Sequence, residues 1–159
     1  MKKLVVYYSL DGNTAFIAKT IAEAAGADLL ELKPKDEPDK ASFMKYFWGG
    51  KQVMMKQKPE LMPLGKKPQD YDFLFIGSPV WAFSYAPALG TFFDQAQLKG
   101  KRLGFFCCSG GMKGKVFESM EKSLAGNQVI DRIHFAEPLK RDRAKCAQEA
   151  AAWAKKVIS

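Results

Sequence analysis

The sequence predicts an α/β fold in which helices cover both faces of a parallel sheet. Five apolar runs rich in β-branched and aromatic residues alternate with segments of helical periodicity along the 159 residues. Such alternation is typical of parallel strands joined by right-handed helical crossovers. The predicted strands are Leu4–Tyr8, Asp28–Leu32, Phe73–Gly77, Leu103–Cys108 and Val129–Ala136. The predicted helices are Thr14–Ala25, part of Lys40–Lys56, Ala86–Gln95, Lys113–Leu124 and Arg141–Val157.

Length and composition fit one domain spanning residues 1–159. The hydrophobic content of 47% is enough to build a full core without metal or disulfide support. No apolar run approaches the length of a membrane span. We therefore expect a cytosolic protein with no stable membrane insertion.

The net charge of +8 sets a second constraint on function. Nucleic-acid binding is one explanation, but the basic residues show no recognition-helix or aromatic RNA-binding pattern. A solvated basic surface without nucleic-acid binding is the simpler interpretation. The densest basic stretch is opposed only by Glu60 and forms a candidate docking face, comprising Lys45, Lys51, Lys56, Lys58, Lys66 and Lys67.

The cysteines and the single histidine suggest no catalytic cluster. Cys107 and Cys108 fall in a predicted strand and are expected to be inert core thiols. A vicinal redox pair or a metal site is the alternative, but no second Cys or His cluster supports it. His134 lies in a predicted strand and is expected to be a strand residue and not a catalytic base. No metal is predicted.

A hydroxyl-rich turn follows the first predicted strand and leads directly into a helix. At a helix N-terminus the first amides lack intrahelical partners and the macrodipole favours an anion. The turn contains no Lys or Arg and matches neither a Walker loop nor a dinucleotide fingerprint. Its hydroxyls and amides therefore suit a terminal phosphate monoester held by neutral donors. The alternative is that Ser9, Asp11 and Asn13 only cap the helix.

Two further loops are expected at the same edge of the sheet. Trp81, Phe83 and Tyr85 follow the third strand and form either a platform for a planar ligand or a packed loop. Gly110 and Gly111 follow the fourth strand and permit close approach of a ligand, although a plain turn would explain them too. Phosphate donors, an aromatic platform and glycine amides together describe a site for flavin mononucleotide (FMN).

The first segment also matches the signature of the flavodoxin family, which the chain resembles in element order throughout. The matching residues are Val5, Val6, Tyr7, Ser9, Gly12, Thr14, Ala18 and Ile21. The resemblance implies a three-layer sandwich with a five-stranded parallel sheet in the order 2-1-3-4-5. It also implies that the phosphate is bound by Ser9, Asp11, Gly12, Asn13 and Thr14. The implied isoalloxazine contacts are Pro79, Val80, Trp81, Ala82 and Phe83 on one side, and Ser109, Gly110 and Gly111 at the pyrimidine edge.

The chain departs from that family in two ways. Met112 and Lys113 stand where many flavodoxins place a stacking tyrosine, and the chain is basic where electron-carrying flavodoxins are acidic. The sequence contains no recognisable nicotinamide site, which favours electron transfer with a partner protein, and the basic charge predicts that this partner is acidic. The alternatives are an NAD(P)H-dependent reductase of quinones or nitroaromatics and a flavin-free interaction domain. The Met- and aromatic-rich segment 42–64 is expected to pack in the core or a subunit contact, or to form a lid.

Overall fold

The computed structural model describes residues 1–35, 58–81 and 84–159 and contains a mainly parallel sheet. Five parallel strands lie in the spatial order β2-β1-β3-β5-β6, and the short β4 pairs antiparallel with the end of β3. Counting the parallel strands alone, this is the predicted order 2-1-3-4-5, which is confirmed. The strands are β1 (Lys3–Tyr7), β2 (Asp28–Glu31), β3 (Phe73–Trp81), β4 (Ser84–Tyr85), β5 (Arg102–Ser109) and β6 (Gln128–Ala136).

In the described residues, four α-helices cover the two faces of the sheet. They are α1 (Asn13–Ala25), α2 (Pro87–Ala96), α3 (Val116–Ser123) and α4 (Arg143–Ile158), and a 3₁₀ turn spans Pro68–Asp70. Helices α1 and α4 pack on one face and share a core with one set of strand side chains. Helices α2 and α3 pack on the other face. The helix predicted within Lys40–Lys56 lies outside the described residues.

The two cores follow from the alternation of side chains along the central strands. On β1, Val5 faces the α1 and α4 core whereas Leu4 and Val6 face the α2 and α3 core. Strand β3 repeats this pattern, and all of these residues are fully buried. A strand that buries both faces reads as a continuous apolar run, as expected for a central parallel strand.

The register of the sheet brings the carboxyl ends of the strands to one edge. Tyr7 pairs with Gly77, Pro79 with Cys108 and Ser109 with Ala136. The loops that follow β1, β3, β5 and β6 therefore leave the sheet side by side. Ligands of open α/β sheets bind at this edge, beside the strand where the order reverses.

Two element boundaries differ from the predictions in ways that affect this edge. Strand β3 ends at Trp81 and not at Gly77, because residues beyond Gly77 pair with β5 and then form a hairpin with β4. Pro79, Val80 and Trp81 are therefore strand residues, and their assignment to a loop was wrong. Helix α3 begins at Val116 and not at Lys113, which leaves Lys113 and Lys115 in the connecting loop.

Candidate functional site

The turn between β1 and α1 is shaped by a left-handed glycine. Gly12 has a φ of 96°, which residues with a Cβ rarely adopt. A Cβ at this position would also lie 3.4 Å from Leu139 Cδ1, in the loop after β6. Gly12 therefore lets the chain turn sharply from the sheet into the first turn of α1.

Several polar groups of this turn bond to one another. The amide of Gly12 donates to Ser9 Oγ at 3.2 Å, and the amide of Asn13 donates to Asp11 Oδ1 at 3.0 Å. The side-chain amide of Asn13 donates to the second carboxylate oxygen of Asp11, and its carbonyl accepts from the amide of Leu139. The Asn13 side chain is thus a brace within the site. The backbone amide of Asn13, predicted to bind a phosphate, donates its hydrogen bond to Asp11 instead.

The remaining donors of the turn lack partners in the described part of the chain. Thr14 Oγ1 is buried and makes no hydrogen bond of normal geometry there. It lies near the thiol of Cys108, which is at best a weak acceptor. The backbone amides of Thr14 and Ala15 also donate to no described protein group. A buried hydroxyl without a good partner is costly, so this site favours an acceptor from outside the described chain.

The segment after β3 is held by a buried serine that the sequence analysis did not single out. Ser78 Oγ accepts the amide of Ala86 at 2.9 Å and donates to the carbonyl of Pro79 at 2.7 Å. These bonds hold the base of the β3–β4 hairpin. A buried hydroxyl at the end of a strand is the signal that could have identified Ser78.

Trp81 lies at the tip of β3 and is mostly packed into the protein. Its side chain is 7% exposed, and its ring meets that of Tyr8 edge-on with centroids 5.5 Å apart. This is the packing alternative considered for the aromatic segment, and it leaves only part of the indole open to a ligand. Contact of Trp81 with a flavin stays a prediction. Ala82 and Phe83 lie outside the described residues.

The loop after β5 is open and is tied to the neighbouring strand through Ser109. Gly110 and Gly111 are exposed, and Met112 is 73% exposed. Ser109 Oγ lies 2.6 Å from His134 Nε2 and accepts the amide of Gly111 at 3.3 Å. His134 is a residue of β6, as expected, but it also supports this loop.

The loop after β6 is a fourth component that sequence reasoning missed. Its Glu137 has a φ of 42° and donates its amide to the carbonyl of Ser109. The Glu137 carboxylate pairs with Arg141 at 3.6 Å, and Arg141 reaches the carbonyl of Gly110 at 3.5 Å. Together with the hydrogen bond from the amide of Leu139 to Asn13, these contacts join the turn between β1 and α1 to the β5 loop.

The cysteines near the site are unreactive as thiols. Cys107 and Cys108 are buried, as expected, and burial raises the pKa of both, to about 12 for Cys108. Cys146 on α4 is half-buried, and burial raises the pKa of its thiol as well. A raised thiol pKa keeps the thiolate rare at neutral pH. Cys107 and Cys108 are therefore core residues.

These residues fit FMN in their chemistry. The unpaired donors at the start of α1 suit its phosphate, and the exposed glycine loop after β5 suits a flat polar edge. The structure brings the first group, from Ser9 to Thr14, next to the group from Ser109 to Gly111 through the β6 loop. It places Pro79 beside Cys108 of β5 at the same edge, and Val80 pairs with Tyr85 of β4. Which of these atoms touches a flavin stays a prediction.

Known proteins resemble this chain in sequence pattern and in fold. A family model described as flavodoxin matches residues 2–149. No curated protein sequence matches the chain. Among solved structures, a flavoprotein in complex with FMN from Lactobacillus acidophilus NCFM is 24% identical with a TM-score of 0.72, covering 91% of this chain and 98% of that one.

Two further structures share the fold. A candidate flavoprotein from Bacteroides eggerthii DSM 20697 is 25% identical with a TM-score of 0.80, covering 99% of this chain and 98% of its own. The two-electron reduced flavodoxin of Megasphaera elsdenii is 21% identical with a TM-score of 0.59, covering 97% of this chain and 98% of its own. The predicted FMN cofactor agrees with these neighbours. Because the flavodoxin family model matches nearly the whole length of this chain, the chain belongs to the flavodoxin family.

Proposed function

We propose that this protein binds one FMN without a covalent bond and exchanges electrons with a partner protein. The observation that carries the proposal is the buried Thr14 hydroxyl at the first turn of α1, beside which the described chain offers only the weakly accepting thiol of Cys108. A phosphate accepts hydrogen bonds on several oxygens and is negatively charged, so it matches both this donor and the helix N-terminus. When bound, FMN supplies the redox chemistry and the protein supplies its position and electrostatic surroundings.

The phosphate would be held by donors that the turn leaves unused. These are the Thr14 hydroxyl, the hydroxyl hydrogen of Ser9, and the amides of Thr14 and Ala15. The Ser9 oxygen already accepts from Gly12, but its hydrogen is free to rotate toward an anion. The carboxylate of Asp11 lies on the amide of Asn13 and opposes the phosphate charge. Access of a phosphate to that amide would require the Asp11 side chain to turn outward.

The isoalloxazine would lie between the segments that follow β3 and β5. Pro79 and Val80 are half-buried at the end of β3. Ser109 is half-buried at the end of β5, the strand that pairs with β3. Exposed Gly110 and Gly111 allow close approach of their amides to the polar edge of the ring. The Ser78 bonds to Ala86 and Pro79 hold the first wall in place.

The choice of a protein partner rests on the rim of this site. Met112 is 73% exposed and lies between Gly111 and the exposed Lys113, with exposed Lys115 two residues further on. An exposed apolar side chain followed in the sequence by two exposed lysines suits a transient contact with a partner of opposite charge. We therefore propose an acidic redox protein as the partner. Of the candidate docking face predicted from the sequence, Lys45, Lys51 and Lys56 lie outside the described residues.

Anaerobic kinetics would distinguish this function from that of a reductase. The FMN-loaded protein is mixed either with NADPH plus a quinone or with a chemically reduced acidic electron carrier. The proposal predicts rapid electron exchange with the carrier and slow reduction by NADPH. Rapid NADPH oxidation with turnover of the quinone would overturn the electron-transfer role in favour of a small-molecule reductase.

Among the described helices, none has both the length and the apolar character needed to cross a membrane.

A further inference from the structure

Ser109 and His134 form a short hydrogen bond between the β5 loop and β6. Ser109 Oγ lies 2.6 Å from His134 Nε2. An N–H donor normally lies about 2.7–3.2 Å from an oxygen, whereas hydroxyl donors approach to about 2.5–3.0 Å. The separation therefore fits a serine hydroxyl that donates to an unprotonated Nε2. The same oxygen accepts a hydrogen bond from the amide of Gly111. The serine's own hydrogen is then the one that points to the imidazole.

The surroundings of His134 contain charges of both signs. Lys113 is the charged group that acts on it most directly, and Cys107 is its neutral register partner on β5. On the same face of β6, Arg132 is paired with Glu121 of α3. Beyond β6, Glu137 is paired with Arg141. Arg132 and Glu121 form one ion pair and Glu137 and Arg141 form another, and outside these pairs Lys113 is the charge that acts on the imidazole in the described chain.

We propose that His134 is a positioning residue for the flavin, acting through Ser109. Uptake of a solvent proton at Nε2 turns this nitrogen into a donor to Ser109 Oγ. The serine hydrogen is then released from the imidazole and, with the Gly111 amide still accepted, donates to the ligand. Protonation of His134 thereby adds a hydrogen-bond donor and a positive charge to the loop expected at the pyrimidine edge. This inference rests on the proposed FMN site.

The direction of the resulting pH dependence follows from the states involved. Burial, and secondly Lys113, lower the pKa of His134, which favours the neutral imidazole in the flavin-free protein. Bound FMN is anionic and offers acceptors, so it favours the protonated form and raises the pKa of His134. Affinity for FMN must then increase as the pH falls through that range. By linkage, a rise of about one pKa unit corresponds to about tenfold in total affinity.

The first test measures the pKa of His134 by NMR. The chain has a single histidine, so its ring proton signals are unambiguous. In the flavin-free protein, Ser109→Ala should raise this pKa by roughly half a unit to one unit, because a hydrogen bond to the neutral imidazole is lost. FMN should raise the wild-type pKa by about one unit and should raise the pKa in Ser109→Ala by clearly less, because the attraction between charges remains but the hydrogen bond through the serine is lost. The wild-type comparison with and without FMN requires no variant to fold.

The second test measures FMN dissociation constants between about pH 5 and pH 8, the range over which histidine titrates. The FMN phosphate titrates in the same range in every variant, so the informative quantity is the difference from wild type. His134→Gln should lose the increase in affinity at low pH, whereas Arg132→Gln, which removes a nearby charge that does not titrate, should retain it. Equal pH profiles for wild type and His134→Gln, or a His134 pKa unmoved by bound FMN, would overturn this inference alone. Absence of FMN binding at every pH would overturn the proposed function as well.

Discussion

At the first turn of α1, the Thr14 hydroxyl is buried beside the weakly accepting Cys108 thiol and makes no hydrogen bond of normal geometry in the described chain. Burying a hydroxyl without a hydrogen bond costs about 1–3 kcal/mol by protein mutational data. Such a cost persists in a binding site when a ligand supplies the missing partner. The same residue therefore weakens the free protein and strengthens the complex, and these two effects can be measured separately.

Replacing Thr14 by valine tests both effects. Thr14→Val keeps the branched shape but removes the hydroxyl, so the flavin-free protein should gain about 1 kcal/mol in the free energy of unfolding. Loss of a hydrogen bond to a charged acceptor should weaken FMN binding by about 1.5–3 kcal/mol, roughly one to two decades in the dissociation constant. Denaturant unfolding and FMN titration measure the two quantities.

Thr20→Val is the matched control for that experiment. Thr20 lies on the same helix, and its hydroxyl donates to the carbonyl of Phe16 at 2.9 Å. This substitution should leave FMN affinity unchanged. Equal FMN affinities for wild type and Thr14→Val would show that the phosphate lies elsewhere.

Asp11 carries a negative charge where the phosphate is expected. Asp11→Asn retains an oxygen that can cap the amide of Asn13 but removes the repulsion, so FMN should bind roughly threefold to tenfold more tightly at low salt. The difference should shrink as salt is added. Asp142→Asn, which alters the equivalent cap at the amide of Lys145 on α4, should not change FMN affinity. Weaker binding by Asp11→Asn would mean that the carboxylate supports the site and does not oppose the phosphate.

At the scale of elements, what could be predicted depended on how local the determinants are. The strands and the turn at Gly12 follow from apolar runs and turn residues that act over a few positions. The extension of β3 to Trp81 depends on pairing with β5 and β4, which no local pattern records. Likewise, the link from His134 to Ser109 joins two strands that are adjacent only after folding. The contribution of the β6 loop at Leu139 was missed for the same reason.

The contact between β3 and β5 at Gly77 is a tight one, and a substitution there tests it. A Cβ on Gly77 would lie 2.1 Å from ring atoms of the fully buried Phe106. Gly77→Ala should therefore destabilise the protein by about 3 kcal/mol, because the ring has no space to move into. Gly90→Ala on α2 is the control, since its Cβ would lie at an ordinary 3.7 Å from Tyr85 and should stabilise the helix by about 0.5–1 kcal/mol. Thermal or denaturant unfolding gives both values, and equal stability of Gly77→Ala and wild type would contradict this packing.

At the scale of the whole molecule, the chain has a net charge of +8, and described lysines lie at both ends of the sheet. Lys113 and Lys115 lie at the edge that carries the candidate site. Lys66 and Lys67 lie near Lys2 and Tyr71, at the opposite end of the strands. The two groups have the same charge, so they separate a local docking effect from a general electrostatic one.

Electron exchange with an acidic carrier should depend on the charges at the site edge. Lys113→Glu with Lys115→Glu should slow the second-order rate constant by about tenfold or more at low ionic strength, whereas Lys66→Glu with Lys67→Glu should slow it much less. Added salt should slow the wild-type reaction, because charges more than about 8–10 Å apart are screened at physiological ionic strength. Stopped-flow mixing across a salt series measures these rates. Rates indifferent to salt and to both pairs of substitutions would remove the proposed acidic partner.

The most direct test of the central claim compares the binding of FMN with that of riboflavin, which has the same ring without the phosphate. Flavin-free protein is titrated with each ligand by calorimetry. We expect one FMN to bind per chain. Its affinity should be at least about tenfold to a hundredfold higher than that of riboflavin, since the unpaired donors at the start of α1 hold the phosphate. We also expect that Thr14→Val and Ser9→Ala together remove most of that preference. Equal affinities for the two ligands, or no saturable binding of FMN, would contradict the proposed FMN site.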